Sequence, residues 1–165
     1  MIVAWMVCAS VAIMIARHYK EVLGDYTCCG TKTWFCLHRS FMTLLLILVL
    51  IGLYCSYTFV GGWSGPNLHP LLGVSCIALM MAQIIGAQFR CHPDHHARWI
   101  FNWIHFLAGN CAHILSVLAI ITAYEAMSLP RIFIYLVIGF ICFHVVMHTI
   151  MQCKRRPSYD GRLLL

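Results

Sequence analysis

Charge is what this chain of 165 residues has least of: Asp, Glu, Lys and Arg together make up 10%, against 62% hydrophobic residues. A soluble globular domain carries about 25% charged residues, so water is excluded as the main solvent. Motifs for side-chain chemistry are also missing. There is no glycine loop to cradle phosphate, no nucleophile elbow and no HExxH pair. No basic residue precedes the first apolar run, and Arg17, His18 and Lys20 follow it, the reverse of a secretory signal.

What the chain has instead is five apolar stretches: Met1 to Ala16, Phe41 to Val60, Leu71 to Phe89, Ile100 to Tyr124, and Ile132 to Gln152. The last four reach the roughly 20 residues that cross a hydrocarbon core of about 30 Å. In lipid the backbone must satisfy itself, and these runs are too long for barrel strands of about 10 residues, so each is expected to be a helix. The fold class is therefore all-α, a transmembrane bundle of five helices. The first stretch is short by about a turn and is expected to be the end of an incomplete spanning helix.

Basic residues are retained on the cytoplasmic side of a membrane. Arg17, Lys20, Lys32 and Arg39 flank the first loop, Arg90 and Arg98 the third, and Lys154, Arg155, Arg156 and Arg162 lie in the tail, leaving only Arg131 for the other side. This predicts a cytosolic C-terminus and an extracellular or lumenal start. Topology accounts for the net charge of +6, and no nucleic-acid partner is needed. Of the ten cysteines, Cys28, Cys29 and Cys36 fall in the first, cytosolic loop and Cys8, Cys55, Cys76, Cys111 and Cys142 within apolar stretches. Reduced thiols packed as small hydrophobes are expected.

Ionisable residues at membrane depth mark function. Of ten histidines, His38 opens the second helix at the cytosolic face, His69 opens the third at the outer face, and His105 lies about two turns into the fourth from the cytosolic face. Haem iron held between helices takes one imidazole on each side of the ring, at one depth. His38 and His105 meet that condition to within about 5 Å, counted from Val60 and Tyr124. His69 has no partner at its level.

The stripe beneath His69 is Gly73, Cys76, Met80 and Gln83, and that beneath His105 is Gly109, Ala112, Ser116 and Ala119. Narrow faces suit either a bulky ring or close helix packing, and the stripes alone leave both open. His144 and His148, one turn apart, share a side and cannot supply both axial faces of one haem; interhelical hydrogen bonding is expected of them. His113 stands about 80° around the helix from His105, and a polar contact is expected there. Cys91, His92, His95 and His96 are metal-ligand types, but their spacing fits no standard zinc pattern, and Pro93 with Asp94 predicts a turn.

The segments Ile2-Val3-Ala4-Trp5-Met6, Ile15-Ala16-Arg17, His38-Arg39, His69-Pro70-Leu71-Leu72-Gly73 and Arg98-Trp99-Ile100-Phe101-Asn102-Trp103-Ile104-His105 resemble the cytochrome b561 domain that follows a DOMON module in ferric-chelate reductase-like proteins. The resemblance runs from Met1 to about Gln152. It implies a transmembrane domain over residues 1–153 with a cytosolic tail, 154–165. It also implies two b haems passing electrons from cytosolic ascorbate to ferric iron or an attached extracellular module. By the same resemblance, His38 and His105 would hold the inner haem and His69 the outer. The fourth ligand belongs just before the apolar run that contains Met1, so an N-terminally truncated chain is expected, able to complete only its inner site.

Arg39, Arg90 and Arg98 would pair with haem propionates or attract ascorbate, or else serve as topology signals. Trp99 and Trp103 suit interfacial anchors or ring-stacking partners. The partners expected are ascorbate, the outer acceptor and the lipid bilayer, with a homodimer left open. The rival readings are a haem-less or single-haem accessory membrane module and a relay serving only an attached haem domain.

Overall fold

The computed structural model describes residues 1–65 and 67–154. The tail from Arg155 onward, with Arg156 and Arg162, lies outside the described residues. The described residues are 78% helical, and among them four helices are long and apolar enough to cross a membrane: α2 (Thr33–Val60), α3 (Leu68–Gln88), α4 (Arg98–Ala126) and α5 (Arg131–Lys154). Their surfaces expose Leu, Ile, Val and Phe along most of their length. Apolar surface of that extent is stable when hydrocarbon is the solvent. The chain is an integral, multi-pass membrane protein.

The first helix, α1 (Val3–His18), is shorter than these. It is π-helical over Val3–Ala9 and α-helical over Ser10–His18. The wider i→i+5 turn advances less per residue than an α-turn. A span of full membrane length is therefore not added to the four. Instead α1 is the best-buried helix of its unit: Ala4, Trp5, Met6, Cys8, Ala9, Ser10 and Ala12 are all covered.

The chain forms two compact units. In one, α1 packs against α2 and α5. Between α1 and α2 runs a small antiparallel ribbon, β1 (Thr27–Cys28) and β2 (Thr31–Lys32), with Thr27 opposite Lys32 and Cys28 opposite Thr31. Its two-residue loop has both φ angles positive, 52° at Cys29 and 72° at Gly30, as a type I′ hairpin turn requires. Thr33 N–H donates to Tyr26 O at 2.9 Å, so the ribbon leads straight into α2. That is why α2 starts well before Phe41, and why His38 lies in its second turn and does not open it. The other unit is the pair α3 and α4, packed along much of their length.

Helix α2 ends where Gly61 takes φ 77°, and Gly62 N–H returns to Tyr57 O at 3.0 Å, the bond that closes a Schellman motif. A Cβ at Gly61 meets nothing within 4 Å, so the need for glycine there is conformational. Gly61→Ala is expected to lower stability by about 1 kcal/mol. Gly73, helical and equally open, should tolerate alanine or gain from it by about 1 kcal/mol. Thermal unfolding of both variants in the same detergent checks the difference in sign.

Candidate functional site

In hydrocarbon a polar side chain on a helix must find its partner on a neighbouring helix or on its own backbone. His38, on α2, has its Nδ1 3.0 Å from the carbonyl oxygen of Ala12 on α1. His69, at the start of α3, has its Nδ1 2.9 Å from the carbonyl oxygen of Ala119 on α4. A carbonyl can only accept, so in both rings Nδ1 carries the proton and donates. The lone pair is then on Nε2, the tautomer in which imidazole ligates a metal while its other nitrogen is held by a carbonyl. Two histidines expected to ligate iron are thus oriented in the same chemical manner, each within its own unit.

His105 is positioned differently. Its ring stacks on Phe101 at 5.6 Å and 15°, and the Arg98 guanidinium lies over the other end of this series, 5.5 Å from the Phe101 centroid. Gln83 Nε2 on α3 donates to the His105 carbonyl at 2.7 Å. Phe101 therefore links Arg98 to His105, a role not read from the sequence, although the spacings of three and four along a helix are its signal.

Arg98 donates through Nε to Asn102 Oδ1 at 3.1 Å and through Nη1 to the Cys91 carbonyl. It closes the loop between α3 and α4 onto the first turn of α4. Arg90, in the same loop, is half-buried; burial, and then the neighbouring charge of Arg98, lower its pKa. Two guanidinium groups held near each other in part-buried surroundings favour an anion beside them. Arg39 is exposed and lies over the Phe35 ring at 5.3 Å. Trp99 is exposed, as an interfacial anchor would be, and Trp103 meets Phe106 edge-to-face at 5.9 Å.

The small-residue stripes are packing faces. Cys76, Ala112 and Ser116 are all at most 3% exposed, and Met80 and Ala119 are buried with them. Cys76 Sγ donates to Ala112 O at 3.2 Å, and the Cβ position of Gly109 lies 3.4 Å from Gln83 Nε2. The narrow faces of α3 and α4 thus meet each other. Gly73 lies outside this contact.

On α5, His144 and His148 meet edge-to-face at 4.5 Å, and His148 Nδ1 is 3.0 Å from His18 Nε2 on α1. This is the interhelical hydrogen bond expected, made by His148. Ser116 Oγ donates to the His113 carbonyl at 2.6 Å. The Cys91 to His96 segment is a turn, with His95 N–H donating to His92 O at 3.0 Å. His92 Nδ1 lies 3.3 Å from Asp94 Oδ2, both side chains being exposed. Among the described residues, no three His, Cys, Asp or Glu side chains are grouped to hold a metal ion.

The ten cysteines are free thiols, but few are packed as expected. Cys8 and Cys76 are buried; Cys28, Cys29, Cys55, Cys111, Cys142 and Cys153 are exposed. Cys28 and Cys29 are carried by the hairpin, outside the helices.

The chain is 33% identical over 156 residues to putative ferric-chelate reductase 1 of Xenopus laevis, across 92% of this chain and 26% of that protein. Human ferric-chelate reductase 1 is 31% identical over 159 residues, with 92% of this chain and 26% of the relative covered. A cytochrome b561 and DOMON domain-containing protein of Arabidopsis thaliana is 28% identical over 163 residues, covering 93% of this chain and 33% of that protein. The chain is a family-level homologue of these proteins. It spans about a quarter of the length of the ferric-chelate reductase relatives. No family model and no solved structure matches it.

His18 and His148 bond to each other across α1 and α5 at 3.0 Å. A double-mutant cycle of His18→Ala and His148→Ala is expected to give a coupling of about 1 kcal/mol, within the range for interhelical hydrogen bonds in membranes. Each single variant should retain the cofactor content of the parent chain. Unfolding in mixed micelles measures the coupling.

Proposed function

We propose that this chain is the electron-transferring membrane domain of a ferric-chelate reductase-type oxidoreductase, passing electrons from cytosolic ascorbate through b haem to ferric iron or an attached DOMON-type module. The observation that carries this reading is the shared orientation of His38 and His69, each with Nδ1–H donated to a helix carbonyl, the arrangement that holds a metal-ligating imidazole in place. When bound, b haem supplies a one-electron iron couple whose potential follows its axial ligands and their hydrogen bonds.

His38 and His105 are assigned to the inner haem, and His69 to the outer. Along its own helix His38 stands 22 positions before Val60, and His105 stands 21 positions before Ala126, the ends of α2 and α4. The two counts along the chain differ by one residue, an agreement in sequence position that supports the pairing. Donation from Nδ1–H of His38 and His69 to the Ala12 and Ala119 carbonyls would raise the basicity of the two imidazoles and fix their rings. Arg90 and Arg98 are assigned to an anionic group at that end of α3 and α4, a haem propionate or ascorbate, and Arg39 to the same task from α2. Under this reading the basic loops are cytosolic, and the C-terminus is with them.

Reduced-minus-oxidised spectra of the full chain purified from membranes test it, with haem counted per polypeptide. The parent chain should show b-type absorption. His38→Ala and His105→Ala should each remove the same haem, a loss of one equivalent with the helical content unchanged. His69→Ala should leave that haem in place. A folded parent chain devoid of haem overturns the proposal, and retention of the inner haem in His105→Ala overturns the ligand pairing.

A further inference from the structure

The hairpin before α2 brings together three thiols that the electron-transfer reading does not use. Cys28 ends β1, Cys29 occupies the left-handed turn position, and Cys36 lies in the first turn of α2. Cys36 Sγ donates to Cys28 Sγ at 3.5 Å, and Cys28 Sγ donates to Cys29 Sγ at 3.9 Å. Their position is held by the backbone: Thr31 Oγ1 donates to Cys28 O at 3.1 Å, and the Thr33 to Tyr26 bond fixes the ribbon to the helix start. Cys28 and Cys29 are exposed and Cys36 is half-exposed, so soluble reagents reach them.

We propose that Cys28 and Cys36 form a reversible dithiol–disulfide site, oxidised by low-molecular-weight disulfides. A disulfide has an S–S distance of about 2.05 Å, so the two sulfurs must approach by about 1.5 Å. A change of side-chain rotamer supplies that shift on an exposed surface, with the strands left in register. Cys28 and Cys29 are adjacent in sequence, and their union would close a strained ring through the peptide between them. The Cys28–Cys36 pair is both nearer and less constrained.

The reaction balances in two exchanges. The Cys36 thiolate attacks the small disulfide RS–SR, forming Cys36–S–SR and releasing RS⁻. Cys28, having given its proton to water, then attacks the Cys36 sulfur, forming Cys28–S–S–Cys36 and releasing the second RS⁻. The protein loses two protons and two electrons, and the small disulfide is reduced to two thiols. Hydrogen bonding with Cys36, and then with Cys29, pushes the Cys28 thiol up to about 11. The link would join the ribbon to α2 two residues before His38.

The test treats the full chain in lipid nanodiscs with oxidised glutathione and maps its peptides by mass spectrometry with and without dithiothreitol. The expected product has lost two hydrogens, carries a Cys28–Cys36 link that dithiothreitol reverses, and forms equally in Cys29→Ser. Cys28→Ser should stop at a single persistent glutathione adduct on Cys36. Independent adducts at positions 28 and 36 without a link overturn the proposal. A link through Cys29, or thiols that arrive as hydroxylamine-released acyl esters, also overturns it. Haem spectra play no part in the readout, so its outcome is separate from that of the proposed function.

Discussion

Hydrocarbon offers no hydrogen-bond partner, and most of this structure follows from that. The apolar runs become helices because only a helix satisfies a single membrane segment's backbone from within. The polar side chains they carry then turn to carbonyl oxygens. His38 bonds to Ala12, His69 to Ala119, Cys76 to Ala112 and Gln83 to His105. Thr122 and Thr149 bond back to Leu118 and Val145 one turn earlier. For the two histidines this pressure has a chemical result: a carbonyl partner forces the proton onto Nδ1 and so decides which nitrogen has a lone pair.

Packing provides the carbonyls. An oxygen already engaged in a helix can accept from another element only if that element comes close, and small residues at the contact allow it. On α3 and α4 these are Cys76, Gly109, Ala112, Ser116 and Ala119, most of them almost fully buried. The partner of His69 is itself one of these small residues, Ala119. In the other unit Ala12, fully buried on α1, plays the corresponding part for His38. Close packing and histidine orientation are therefore one design, and the stripes orient the histidines indirectly by bringing the backbone near.

At the water-exposed ends other rules apply. Backbone groups there can bond to water, so irregular conformations are tolerated and are set by turn chemistry. The Cys29-Gly30 turn and the Arg98 contacts with Asn102 and the Cys91 carbonyl are such features. They set how the chain enters α2 and α4, the helices that carry His38 and His105.

By itself the sequence determined the solvent and the four long helices, because twenty consecutive apolar residues have one stable form in lipid. It also determined which histidines lie on those helices, since position along a helix is position along the chain. Only the tertiary structure decided the rest. The histidine acceptors lie 26 and 50 residues away, and no local pattern encodes such a pairing. Two uses of the small-residue stripes suited the same spacing, and only the facing helix distinguished them. Aromatic and polar residues before Phe41 hid the true start of α2, and the π-turns of α1 hid its shortened reach. The thiol cluster was hidden for the same reason: Cys28 and Cys36 become neighbours only when a left-handed turn at Cys29 folds the ribbon back toward α2.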